Sequence, residues 1–280
     1  MAPRPATPTG LTVDGRLLTT VLRWQPIRVA TVVDHYRVHG VPADRADRAF
    51  QRGPGDDTLL AKRVYPFFAH TGLAPAGEEW TYVIVAVDAA GARSKPSAPV
   101  SAASKPSVTV GREVVRLGDF DLRTTGLRFA PGGYKDLAKA YGADGKITLD
   151  ADATAADLPY LLPGPGDAWA GNIAYQLTWT LPVTDAVESA ALALWLVDTT
   201  GLGGTLDVKL GPTRRSLELP VGSTRGSREG DATAAGSPLK PVPFEFDLEP
   251  GSITPGAQLE LTLSAGGWIA WDAIGVFARA

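Results

Sequence analysis

Seven tryptophans, set against three histidines and no cysteine, are the side chains best equipped to do chemistry in this chain of 280 residues, and that chemistry is recognition. An indole offers a large rigid face at little entropic cost, suited to stacking on the apolar C–H face of a ring. Trp169 follows the Gly-Pro-rich turn Leu162-Pro163-Gly164-Pro165-Gly166, and Trp268 follows Gly266-Gly267, so both are loop or rim candidates. Trp195 is out of phase with Leu192, Leu194 and Leu196 and falls on the opposite strand face, where ligand contact and packing both stay open. Trp271 is out of phase with Ile274 and Val276, so exposure and packing beneath a loop both stay open. Trp24 and Trp179 lie in register with apolar neighbours and read as core.

Charged groups add two possibilities. Arg214, Arg215, Arg225 and Arg228 could grip carboxylates through bidentate contacts, or simply be solvated. Asp272 with Asp119 or Asp121 offers hard oxygen ligands for a structural calcium ion; Asp272 could instead accept backbone amides at a strand end. Catalytic groups are scarce. His35, His39 and His70 all fall in the first half, where His35 and His39 straddle a strand and are expected at the surface. Asp56-Asp57 and the Asp150/Asp152 pair sit in polar turns, and the Gly201, Gly203, Gly204 cluster lacks the strand-to-helix setting of a phosphate loop. No cofactor is required by this set, and no enzyme is expected.

The elements that must position these groups are strands. From Gly10 to Ser101 short alternating segments are broken by Gly, Pro and Asp turns, with strands expected at Leu18–Trp24, Asp34–Val41, Leu59–Phe67 and Trp80–Val87. Ser94 to Ser107 has the Ser/Pro/Ala/Lys composition of a linker. In the second half, residues Gly132 to Ala140 are expected to form a short helix with Leu137 inward. Tyr175, Leu177, Trp179 and Leu181, then Leu206, Val208 and Leu210, then Leu259, Leu261 and Leu263 alternate with polar residues, as antiparallel strands with one buried face do. Seven or more such strands imply a jelly-roll sandwich. The expected organisation is therefore all-β: a first domain over residues 6–101, a linker over 102–110 and a second domain over 111–280.

Bulk properties agree. A hydrophobic content of 44% with 20% charged residues is that of a soluble domain, and a net charge of −3 without a basic stripe argues against nucleic acid. No apolar run is long enough to span a membrane. Met1-Ala2-Pro3-Arg4-Pro5 lacks the apolar segment of a signal peptide, and the wealth of Ala, Gly, Pro, Arg and Asp suggests a high-GC bacterial source.

Two resemblances sharpen the expectation. Pro8-Thr9-Gly10-Leu11-Thr12-Val13, Leu22-Arg23-Trp24, His35-Tyr36-Arg37-Val38 and the run Trp80 to Gly91 resemble a fibronectin type III domain, with Trp80 in the place of its corner tyrosine. Leu117-Gly118-Asp119-Phe120-Asp121, Leu158-Pro159-Tyr160, Tyr175 to Leu181, Gly203 to Val208, Arg225-Gly226-Ser227-Arg228 and Trp271-Asp272-Ala273-Ile274 resemble the carbohydrate-binding-module-like, galactose-binding-like third domain of rhamnogalacturonan lyases of the polysaccharide lyase 4 type. The resemblance implies a noncatalytic, extracellular, monomeric region that binds a poly- or oligosaccharide, the catalytic domain lying elsewhere. Structural buttressing of that domain, and less so a lyase or esterase activity, are the alternatives.

Overall fold

The computed structural model describes residues 4–27, 33–141, 144–234 and 236–279; Met1–Pro3, part of the segment read for an export signal, lie outside them. The chain divides into two compact units at Val110/Gly111. No helix among the described residues is long and apolar enough to cross a membrane.

The first unit is a two-sheet sandwich. Strands β1 (Thr12–Arg16), β2 (Thr19–Arg23) and β5 (Phe67–Thr71) form one sheet; β4 (Leu59–Arg63), β3 (Val33–Pro42), β6 (Glu79–Asp88) and β7 (Val100–Ala103) form the other in that order. This 3 + 4 arrangement, with β4 and β5 on different sheets, is the fibronectin type III topology. A helix, α1 (Ala46–Phe50), follows β3. The single strand expected over Leu59–Phe67 is two strands: Pro66 carries no N–H for a ladder, and Val64 and Tyr65 stand exposed where the chain crosses between sheets. Trp24, Tyr36, Tyr82 and Ile84 centre the core, with Trp24 edge-on to Tyr36 at 5.3 Å. At the corner, the Trp80 indole N–H donates to Glu78 Oε2 at 2.7 Å, so an indole bonds where a phenol is usual. His39 is buried, contrary to expectation. It shares the face of β3 that carries Arg37, whose Nε lies 3.5 Å from His39 Nε2, and the turn before β4 covers that face, with Thr58 Oγ1 3.0 Å from His39 Nδ1.

The second unit places two five-stranded sheets face to face, a jelly-roll sandwich. One sheet runs β10 (Leu161–Pro163), β17 (Trp268–Ala278), β12 (Ala190–Thr199), β15 (Val242–Asp247), with β8 (Arg112–Gly118) also pairing β17. The other runs β14 (Thr213–Leu219), β13 (Gly204–Leu210), β16 (Gln258–Gly266), β11 (Gln176–Thr180), β9 (Lys146–Leu149), the last pair parallel. Leu177, Trp179, Leu206, Val208, Leu261 and Leu263 from this sheet meet Leu192, Leu194, Leu196, Trp271, Ile274 and Val276 from its partner. Helix α2 (Tyr134–Tyr141) follows β8 and buries Leu137, as its spacing predicts.

Trp271 corrects the phase argument. Trp195 pairs with Ala273 but Leu196 pairs with Trp271, leaving Asp272 as the extra residue of a bulge. The insertion restores Trp271 to the inward stripe of Ile274 and Val276, and it is fully buried. Trp195 keeps the outer-face position its phase predicts, but that face is covered. The Phe120 ring meets it edge-on at 5.1 Å and its indole N–H donates to Glu245 Oε1 at 3.0 Å.

Candidate functional site

Strand ends converge at one edge of the second unit. There the start of β17, the turn between β10 and β11, the loop between β14 and β15 and the start of α2 enclose a cleft of about 620 Å³. Trp169, Trp268, Arg225 and Arg228 all line it, together with Tyr134 and Lys135.

One wall is a tryptophan-bearing turn. Asp167 caps it: Oδ1 accepts the Trp169 backbone N–H at 3.0 Å, and Oδ2 accepts the Tyr134 hydroxyl, tying the turn to the first residue of α2. Burial, reinforced by the Asp167 carboxylate, drives the Tyr134 phenol well above its usual range, so Tyr134 is a standing donor and not a base. With its backbone held in this way, the Trp169 ring projects into solvent at 84% exposure, the most exposed large apolar side chain among the described residues. Trp268 is only 7% exposed and forms floor, not platform.

The opposite wall is the loop carrying the arginines. It hangs from Asp198, a fully buried carboxylate near the end of β12 that accepts the backbone N–H groups of Ser223 (2.8 Å), Arg225 (3.0 Å) and Gly226 (2.9 Å) and the Ser223 hydroxyl (2.6 Å). The Tyr160 hydroxyl donates to Ser227 O at 2.9 Å from below. Arg225 turns back on Glu229, its Nε 2.7 Å from Oε1, which neutralises it. Arg228 and Lys135 are exposed, and neither has a salt bridge among the described residues. Three cations and one carboxylate line the cleft, so its charge suits an anionic or hydroxyl-rich ligand, while the exposed indole suits the apolar face of a ring.

Four of the six predicted ligand residues are thus brought together. Trp195 and Trp271 are not, for the packing reasons given above. Arg214 and Arg215 belong to β14: Arg214 bonds Gly211 O and Thr213 O, and Arg215 faces Glu249 at 4.0 Å. The three aspartates proposed as cation ligands do not form a cage. Asp119 pairs with Arg116 at 2.8 Å, whereas Asp121 and Asp272 accept the same Arg123 backbone N–H, each at 3.0 Å. Among the described residues no three His, Asp or Glu side chains cluster as a metal site. Asp272 Oδ2 is buried without a partner among the described residues, and burial raises its pKa to about 8, the neighbouring Asp121 charge adding to the effect.

Tyr134, Lys135, Asp167 and Asp198 escaped sequence reasoning. A capping Asp two residues before Trp169 is a readable local signal. Nothing local marks Asp198, whose partners lie 25 or more residues downstream.

No family model matches the chain, nor does any curated protein. Among solved structures, it is similar to an α-L-rhamnosidase from Dictyoglumus thermophilum (8% identity, TM-score 0.31), covering all of this chain and 29% of that one. It is also similar to the pectate lyase PelI from Erwinia chrysanthemi in complex with tetragalacturonic acid (15%, TM-score 0.24; 34% and 27% covered). A third is a two-domain fibronectin type III segment of chicken tenascin (15%, TM-score 0.23; 97% and 99% covered). The chain spans less than a third of the length of the two enzymes.

Proposed function

We propose that this chain is a noncatalytic carbohydrate-binding region, extracellular in setting, that holds a polysaccharide in the cleft between the Trp169 turn and the arginine loop. The carrying observation is a tryptophan 84% exposed on a hydrogen-bonded turn, beside two cations that have no salt bridge among the described residues. A globular domain gains nothing by exposing an indole on a braced turn, whereas a sugar ring stacked on it removes that surface from water. Arg228 and Lys135 supply donors for a uronate carboxylate at the same cleft. The pectic, rhamnogalacturonan-type reading draws on this pairing. A region of this kind, tethered to a catalytic domain, raises enzyme concentration at the polymer without reacting with it.

Calorimetric titration of the full chain with rhamnogalacturonan and galacturonan oligosaccharides tests the reading. Weak saturable binding is expected, with no unsaturated product formed. A folded protein that binds no plant glycan refutes the binding role, and absorbance from an unsaturated product refutes the noncatalytic one.

A further inference from the structure

We infer that Asp198 is a positioning residue that makes the cleft favour carboxylate-bearing sugars over neutral ones, an assignment that rests on the glycan reading above. A fully buried carboxylate must be compensated, and the usual partner is a guanidinium or ammonium group. Here the compensation comes from backbone amides. Oδ2 takes the Arg225 and Gly226 N–H groups and the Ser223 hydroxyl; Oδ1 takes the Ser223 N–H and, at 3.4 Å, that of Lys240. Converging amides form an anion-binding nest. Because Asp198 consumes amides and no side-chain cation, neither arginine is drawn beneath the loop to pair with it.

The loop takes up strain to make this arrangement. Thr224, a β-branched residue lining the cleft, is held at φ 65° between two residues whose amides both reach Asp198. Its own N–H donates to Thr199 O at 3.1 Å, and its Oγ1 accepts the Gly201 N–H at 2.7 Å. Gly226 is needed for the approach, since a Cβ there would lie 2.7 Å from Asp198 Cβ. This backbone path folds Arg225 onto Glu229 and leaves Arg228, which has no salt bridge among the described residues, as the available cation of this wall. The opposite wall hangs on Asp167 and does not share these bonds.

The test compares wild type and Asp198→Asn, titrated by tryptophan fluorescence with tetragalacturonate and with the same tetramer methyl-esterified. Wild type is expected to prefer the charged tetramer by about ten-fold, the scale of one well-placed cation. Asp198→Asn should lose most of that preference while ester affinity changes less than about two-fold, because Trp169 keeps its own support. Amide hydrogen exchange at Ser223, Arg225 and Gly226 should accelerate in the variant. A folded Asp198→Asn that retains the preference, or that weakens both ligands equally, overturns the inference. Should that variant not fold, Ser223→Ala removes the 2.6 Å hydroxyl bond to Asp198, and with it the 3.1 Å bond that the hydroxyl accepts from the Arg225 N–H; a smaller loss of preference supports the inference and an unchanged preference overturns it. Wild type binding neither tetramer instead refutes the glycan reading, and this inference with it.

Discussion

Replacing Asp272 with Asn should make the second unit more stable at neutral pH, although it removes a buried carboxyl group from the central strand. Asp272 is fully buried at the β17 bulge; Oδ1 accepts the Arg123 N–H at 3.0 Å and Oδ2 has no partner among the described residues. Burial is the main reason its pKa rises from 3.8 to about 8, with the Asp121 charge adding to it and the backbone amides of Leu122 and Arg123 opposing it. A pKa raised by folding gives stability that is complete below the unfolded value and is lost as pH climbs through the folded one. Between pH 4 and pH 7 the unfolded carboxyl ionises while the folded one stays protonated, a loss of about 4 kcal/mol at 1.36 kcal/mol per pH unit. Asn keeps the acceptor at Oδ1 and never ionises in either state. The difference in unfolding free energy between Asp272→Asn and wild type should therefore be near zero at pH 4 and grow in favour of Asn to a few kcal/mol by pH 8. Urea denaturation of both proteins across that range reads the difference directly, and titrations common to both cancel. A difference that is flat with pH, or that favours Asp as pH rises, would show that the carboxylate is charged and compensated in the folded state and would refute the reasoning.

Trp169→Ala should leave the unfolding free energy within about 0.5 kcal/mol of wild type, since the ring is exposed, yet weaken glycan binding about thirty-fold, equivalent to about 2 kcal/mol. Trp271→Ala, by contrast, should cost about 3–5 kcal/mol of stability and show as a fall in the melting temperature of the second unit. In the first unit, burial, with Arg37 beside it, lowers the His39 pKa to about 4. The stability this implies is complete above pH 6.5 and is lost as pH falls toward 4, by up to about 3 kcal/mol. His39→Gln should flatten that acid limb in a thermal melt tracked by circular dichroism.

Alternation along single strands was enough to read the architecture. Leu206, Val208 and Leu210, like Leu259, Leu261 and Leu263, face the core as a period of two requires, because unbroken antiparallel pairing preserves that period. That Trp169 and Trp268 would line a rim or loop was legible from the Gly and Pro residues before them, which end regular structure, although Trp268 proved to be its buried floor. Tertiary structure alone decided the rest. One extra residue at Asp272 reversed the phase of Trp271, and no periodicity records an insertion made against a partner strand. Trp195 faces outward as its phase says but is covered by Phe120, which arrives from the end of β8. His39 keeps the face its phase gives it but is covered by Thr58 from the turn before β4. The arginine wall depends on Asp198 meeting amides 25 to 42 residues downstream, a convergence set by where β12 ends. The sequence by itself determined the two β-sandwiches and offered a set of candidate rings and charges, because those depend on local alternation and turn chemistry. Which of those rings and charges share one cleft was decided only by the pairing of strands distant in the chain.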